Sequence, residues 1–375
     1  MFSNKKVLIV TTTDNMIWQF LVPHIQVLKD NGNIVECACA RTGFWFDELK
    51  DMGLVMHEIN FARNPLNPKN LKGYKQLIKL VKDEKYDFIN CHQPVGGMMG
   101  RKVAHKFHLP CIYTAHGFHF FKGAPLKNNL IFKPIEKHYS RYTDALVTIN
   151  NEDFNNAKKM HAKKVYLING IGIDLGKYKE NKNLDKTKLR ASVGLNDDDF
   201  IVLAVGELNK NKNHIVILEA IKQISNPKIK FVICGQGPRK EEYEKFIKEN
   251  KLEDRIKLLG FRKDVKDIVQ ASDIFVMPSL REGLPRSMEE AMAYGKPIVA
   301  SKTRGCRDLV GNNEGGYLCD PTSVSEFVLS IEKLFSDKNK YNQFSARNKK
   351  EVENYSFDKV NKQMIEIYSN IKFEK

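Results

Sequence analysis

Short runs of β-branched and aliphatic residues recur along the chain, separated by longer stretches in which apolar and polar positions alternate with helical spacing. In the first half the runs fall at Lys6–Val10, Ile34–Ala40, Val55–Ile59, Phe88–Cys91, Cys111–Thr114, Ala145–Ile149 and Val165–Ile168. In the second half they fall at Phe200–Val205, Lys230–Cys234, Ile256–Leu259, Ile274–Met277 and Ile298–Ala300. Strand-length runs alternating with helix-length segments predict parallel sheets covered by helices on both faces. The stretch Lys177–Lys188, KYKENKNLDKTK, lacks apolar periodicity and reads as a linker. The pattern predicts an α/β chain of two doubly wound, Rossmann-like domains, without internal repeat or low-complexity tract. Apolar spacing at Val360, Met364, Ile365 and Ile367 predicts a helix over Phe357–Ile371.

A length of 375 residues agrees with two domains, each long enough to bury a core. Apolar runs such as Val7–Val10 and Ile201–Val205 fall far short of the roughly 20 residues of a membrane span. The opening MFSNKKVLIVTTT has no apolar stretch long enough for a signal peptide, so a cytoplasmic protein is expected. Seven cysteines without a C-x-x-C pair argue against a disulfide framework or zinc knuckle, and buried thiols are expected. Sixty-one Lys and Arg against 45 Asp and Glu leave a net charge of +16. That surplus fits an anionic partner (nucleic acid, nucleotide-sugar phosphates or an acidic membrane surface) and equally the lysine-rich composition of an AT-rich genome. No nucleic-acid-binding module is recognisable, so no nucleic acid is expected as partner.

The chemistry-bearing motifs all follow expected strands, and in such sheets ligands bind outside the carboxyl ends of the strands. The segment SLREGLPRSMEEAMAYGKPIVAS, Ser279–Ser301, reads as loop, helix and strand, with Glu282 before the helix and Glu290 one to two turns inside it. Pro285 suits the first helical position, and the helix start favours a phosphate. Two carboxylates flanking an anion-binding helix end suit a sugar nucleotide; the plainer alternative is a solvated face bearing Glu289 and Glu290. After Phe200–Val205, Gly206 permits a tight turn and Lys212 has the reach to meet a diphosphate, although a K-N-K-N turn is also a common solvated loop. In Cys234-Gly235-Gln236-Gly237-Pro238 the glycines let backbone approach a nucleotide. Lys240 stands where a dinucleotide fingerprint needs glycine. Asp273 is expected to cap or orient its strand.

In the first half, His116 follows a strand and precedes Gly117, as a cleft residue or as a satisfied hydrogen-bonding one. His116 and His119 have no acidic partner at ligand spacing, so no metal site is expected. Phe118–Tyr142 carries Lys122, Lys127, Lys133, Lys137 and Arg141 against Glu136, interleaved with six aromatic residues. It reads either as a membrane-interface segment or as a surface helix with buried aromatics. Arg63–Lys82 adds further basic residues in the same half.

Ser279–Ser301, down to the trailing EAMAYGKPIVAS, resembles the signature of the retaining glycosyltransferases of family 4, which have the GT-B fold. HGFHF followed by KGAPL resembles bacterial capsule and exopolysaccharide transferases, whose acceptors are polyprenyl-diphosphate-linked sugars. The resemblance covers nearly the whole chain. It implies an acceptor-binding domain at 1–176, a nucleotide-sugar-binding domain at 177–355 facing it across a cleft, and a helix at 356–375 crossing back to the first domain. It also implies that Glu290 holds the ribose hydroxyls, that Glu282 touches the donor sugar, and that Gly283 and Leu284 offer backbone amides. Lys212 matches the family's diphosphate lysine, while Glu207 stands where an arginine is usual. Gly206 and Gly235 fall in donor loops, and Phe261 and Arg262 fall in the loop near uracil. His116 is implied to contact the donor sugar. The loop holding His92 is implied to face the acceptor, and Lys122 and Lys127 to face acceptor or membrane. The loop Thr11–Asn15 lacks the family's paired glycines, and Asn169–Asp174 matches a structural segment. The implied partners are a UDP-sugar donor, a lipid-linked glycan acceptor and the cytoplasmic membrane face, with no cofactor beyond the donor. A non-hydrolysing UDP-sugar 2-epimerase, of the same architecture, is the alternative.

Overall fold

The computed structural model describes residues 2–43, 45–311 and 313–371. They form two compact units, Met1–Gly172 with Phe357–Lys375, and Ile173–Ser356. The first unit is built on β1 (Lys6–Thr13), β2 (Ile34–Ala40), β3 (Val55–Glu58), β4 (Phe88–His92), β5 (Cys111–Ala115), β6 (Ala145–Thr148) and β7 (Lys164–Leu167). They pair in the order β3-β2-β1-β4-β5-β6-β7, every pair parallel. The second unit is built on β8 (Phe200–Val205), β9 (Ile229–Cys234), β10 (Ile256–Gly260), β11 (Ile274–Met277), β12 (Ile298–Ser301) and β13 (Gly316–Cys319). Their order is β10-β9-β8-β11-β12-β13, again wholly parallel.

Every strand expected from the hydrophobic pattern forms. The central ones are buried on both faces, which is why they read as unbroken apolar runs rather than alternating ones. The pattern missed β13, whose GYLC has no β-branched residue. Its glycine is demanded by the sheet, since a Cβ at Gly316 would stand 1.9 Å from the Ile298 carbonyl oxygen. The expected linker is not bare either: a 3-10 turn spans Leu175–Tyr178, and a helix capped by Asp185 begins at Lys186.

Six helices matter below: α1 (Pro94–Lys106), α2 (Leu126–Tyr139), α3 (Ile215–Gln223), α4 (Arg286–Ala293), α5 (Arg304–Val310) and α6 (Phe357–Ser369). Although last in the chain, α6 belongs to the first unit. Its Tyr368 stacks on Phe2, and its hydroxyl accepts from Asn90 Nδ2 at 2.9 Å. All seven cysteines are buried free thiols, and burial pushes that of Cys37 up to about 12.

In each sheet the strand order reverses once, between β1 and β4 and between β8 and β11. The loops leaving such a pair diverge to opposite faces and open a crevice at the carboxyl edge. Topology alone therefore singles out the loops after β8 and β11 in the second unit, and after β1 and β4 in the first.

Candidate active site

In the second unit the two singled-out loops are tied together. Leu280 N donates to the Asn211 carbonyl at 2.8 Å, and Asn211 Nδ2 to the Arg281 carbonyl at 3.0 Å. Asn213, left-handed at φ 53°, donates from Nδ2 to the Pro278 carbonyl at 3.2 Å. The K-N-K-N turn is thus a clasp rather than a solvated loop, with its asparagines inward, ahead of α3. Of its lysines, Lys210 is exposed, while Lys212 is half-buried and reaches Glu282 Oε1 with Nζ at 2.8 Å. The two residues singled out for charge chemistry, 70 positions apart, form one ion pair.

Pro285 sits at the cap of α4 rather than in its first turn, one residue earlier than expected, with φ −80° and ψ 108°. The neighbouring carboxylates on α4 are not a common solvated face. Glu289 is 3% exposed, and burial pushes its carboxyl well above the usual range. Glu290 points outward and accepts from the Tyr178 hydroxyl at 2.7 Å, with Arg286 Nε at 3.4 Å. Burial and the facing Glu290 carboxylate together drive the Tyr178 phenol upward.

The Gly283–Leu284 turn is backed by α5, which sequence reasoning missed. Arg304 Nε donates to the Glu282 carbonyl at 2.9 Å, and a Cβ at Gly305 would lie 2.1 Å from the Gly283 carbonyl oxygen. The available signal was the Arg-Gly pair just after β12. Gly206, Gly235 and Gly260 join the loops after β8, β9 and β10 into one ledge. Gly235 N donates to the Gly260 carbonyl at 2.8 Å, and a Cβ at Gly235 would stand 1.8 Å from the Gly206 carbonyl oxygen. Close packing between loops already demands Gly235, whatever a nucleotide requires. Beyond the ledge, the Phe261 ring is 69% exposed. Arg262 is held by Asp264 through Nε–Oδ1 at 2.8 Å and Nη2–Oδ2 at 2.6 Å. Asp273 accepts from Ile201 N at 2.7 Å and pairs with Arg190, which orients its strand.

In the first unit β1 runs on to Thr13 and passes directly into a helical turn at Asp14–Met16, so no glycine loop intervenes. Gln93, after β4, closes the reversal: its Oε1 accepts from Thr12 N at 2.8 Å and Thr13 N at 3.2 Å. Its backbone has φ 62° and ψ 163°, a region that essentially only glycine populates. Gly96 of α1 presses on the same strand end, and its N–H donates to Thr12 Oγ1 at 3.0 Å. Beside Gln93, His92 Nδ1 and His116 Nε2 lie 3.0 Å apart with the rings stacked. Burial, reinforced by the neighbouring histidines, holds both imidazoles neutral, His116 at about 3.

His116 and Gln93 also line a pocket of about 150 Å³ with Tyr113, Phe132, Ile135, Glu136 and Pro65. Its carboxylate is fixed: fully buried Arg101 pairs with Glu136 at 2.9 Å while its guanidinium lies over the Tyr113 ring. Lys122 and Lys127 lie outside it and are exposed. The aromatic segment divides. Phe118 and Phe120 are core residues, so they face neither solvent nor membrane. Among the described residues no cluster of three or more His, Cys, Asp or Glu side chains is arranged to hold a metal ion.

Two parallel Rossmann-like units, each with polar groups gathered at the reversal of strand order, define a GT-B architecture. The chain belongs to the glycosyltransferases, matching the model "Glycosyl transferase 4-like" over residues 6–150 and "Glycosyl transferases group 1" over residues 185–351. It is 32% identical to EpsD of Bacillus subtilis (strain 168), which carries a provisional glycosyltransferase name, over 97% of this chain and 96% of EpsD. It is 31% identical to the UDP-Gal:alpha-D-GlcNAc-diphosphoundecaprenol alpha-1,3-galactosyltransferase of Escherichia coli, over 81% of this chain and 80% of that one. Among solved structures it shares its fold with Anabaena Alr3699/HepE in complex with UDP, at a TM-score of 0.83 and 20% identity, covering 98% of this chain and all of that one. The Bacillus subtilis and Escherichia coli relatives both carry transferase names, and the epimerase alternative is not favoured.

Proposed function

We propose that this glycosyltransferase is a retaining enzyme. It moves a hexosyl or N-acetylhexosaminyl group from a UDP-sugar to a polyprenyl-diphosphate-linked glycan at the inner face of the cytoplasmic membrane. The product enters a capsular, extracellular or O-antigen polysaccharide. The observation that carries this reading is the Lys212–Glu282 pair, set where the second sheet reverses and next to the start of α4. The donor and acceptor classes follow the names of the relatives: the Escherichia coli protein is named for UDP-Gal and a diphosphoundecaprenol acceptor, and a Campylobacter jejuni relative at 27% identity for a diphospho-undecaprenol acceptor.

In the proposed reaction the bond from the anomeric carbon to the β-phosphate oxygen breaks while the acceptor hydroxyl oxygen bonds to the same face. The hydroxyl proton passes to the departing diphosphate. Lys212 and the amide-rich start of α4 oppose the charge that develops on UDP, so no metal or further cofactor is invoked. Glu282 and His116 orient the sugar, the amides of Gly283 and Leu284 meet sugar or phosphate, and Glu290 exchanges Tyr178 for the ribose hydroxyls. The Phe261 face is open to uracil, with Arg262 beside it, while Gly206 and Gly235 shape the floor.

A UDP-release screen across UDP-sugars with a lipid-diphosphate-sugar acceptor tests this reading, with the anomeric configuration of the product read by proton NMR. An α-linked product from an α-linked donor is expected. A β-linked product overturns retention, and absence of UDP release with every pair overturns the function. Inversion at C2 of UDP-GlcNAc alone restores the epimerase.

A further inference from the structure

We propose that the outward face of α2, together with the neighbouring segment at Leu66, is a docking surface for an anionic phospholipid bilayer. This rests on the lipid-linked acceptor proposed above and adds the surface that meets the lipid. None of the 14 residues of α2 is fully buried. Phe132 and Glu136, four positions apart, turn inward to the pocket and to Arg101. The opposite arc exposes Leu126 (73%), Leu130 (67%) and Ile131 (53%), and Ile135 (37%), which also lines the pocket, borders it. Lys127, Lys133 and Lys137 stand among them, all exposed. Glu136, the single acid of the helix, is withdrawn into its ion pair, so the outward face is purely cationic. Leu66 is 90% exposed, and its neighbour Pro65 shares the pocket wall with Ile135, which places a fifth large aliphatic beside the helix.

The mixture of side chains decides the occupant. Protein interface cores are depleted in lysine, so a second protein would bury three ammonium groups among the leucines. A bilayer surface takes both kinds at once: aliphatic side chains enter the acyl boundary while lysine stems lie along it and their ammonium groups reach anionic head groups. The inward side of the same helix walls the pocket holding His116 and Gln93, so docking face and pocket wall are two sides of one element.

Flotation of the full-length protein with phosphatidylcholine vesicles, with and without phosphatidylglycerol and with no sugar nucleotide present, reads this directly. Binding that requires phosphatidylglycerol and weakens with salt is expected. Lys133→Glu and Lys137→Glu should each weaken it about fivefold or more. Leu130→Asp with Ile131→Asp should abolish it while the thermal midpoint stays at the wild-type value. Equal binding to neutral vesicles, or wild-type binding by the variants, overturns the proposal. So does concentration-dependent dimerisation that the Leu130→Asp change removes, since that shows a protein partner. Vesicle binding without transfer to any lipid-diphosphate sugar would sink the proposed function and leave the docking surface standing. Transfer without vesicle binding would do the reverse.

Discussion

Lys212 and Glu282 keep only 21% and 13% of their side-chain surface and meet at 2.8 Å. Charges so sheltered are weakly screened, and removing either partner leaves the other short of a counter-charge. Lys212→Ala and Glu282→Ala are each expected to lower turnover about 10²- to 10³-fold with folding intact by circular dichroism. Because the two act as a unit, the double variant should lose much less than the product of the single losses. Lys210→Ala, at an exposed position two residues away, should stay near wild type. Wild-type rates in the first two variants would remove these residues from the mechanism. Histidine burial sets a different, pH-dependent expectation. Burial, with Lys212 nearby, lowers the His214 imidazole to about 3 against an ordinary value near 6.5. Between those limits the unfolded chain binds a proton that the folded one refuses. Stability therefore rises with pH through this window, is complete above it, and is lost as pH falls towards 3, approaching about 1.4 kcal/mol per pH unit for one group. Chemical denaturation at several pH values should show a shallower slope for His214→Leu than for wild type; an unchanged slope contradicts the assignment.

At the scale of elements, the carboxyl edge of the first sheet is held by strained and reciprocal contacts between loops. Gln93 keeps a glycine-like backbone because its side chain is tied to Thr12 and Thr13. Such a residue stores on the order of 1–3 kcal/mol. Gln93→Gly removes strain and tie together, whereas Gln93→Ala removes the tie and keeps the strain. The glycine variant should therefore melt higher than the alanine variant, the reverse of the usual order, while both lose activity as the loop beside His116 loosens. An alanine variant that melts higher would show that no strain is stored. Elements of this sheet were legible because buried parallel strands read as apolar runs. The contacts that clasp the loops were not. Nothing in Asn211 or Gln93 marks them locally, and Arg304 is marked only by the glycine that follows it, since each contact is defined by a backbone carbonyl or amide brought alongside by strands far away in sequence. The strand β13 escaped for a related reason: its place is set by the β12 backbone that Gly316 allows it to approach.

For the molecule as a whole, alternating strands and helices announced two parallel-sheet domains, and the resemblance carried by the whole Ser279–Ser301 segment, rather than the Glu282–Glu290 spacing alone, implied a glycosyltransferase, which the family models and relatives bear out. Charge was the least legible property. A surplus of +16 names no partner by itself; the fold adds that Glu136 turns inward while the α2 lysines stay outward, the arrangement on which the proposed docking surface rests. The aromatic segment likewise split into core and surface only once its helix was placed. The central claim is that a diphosphate is gripped where β8 and β11 part. A crystal structure of this protein with UDP tests it most directly. The diphosphate should lie against the start of α4 with Lys212 turned onto it, the ribose on Glu290 and the base near Phe261. UDP bound elsewhere, with the Lys212–Glu282 pair undisturbed, would contradict the account.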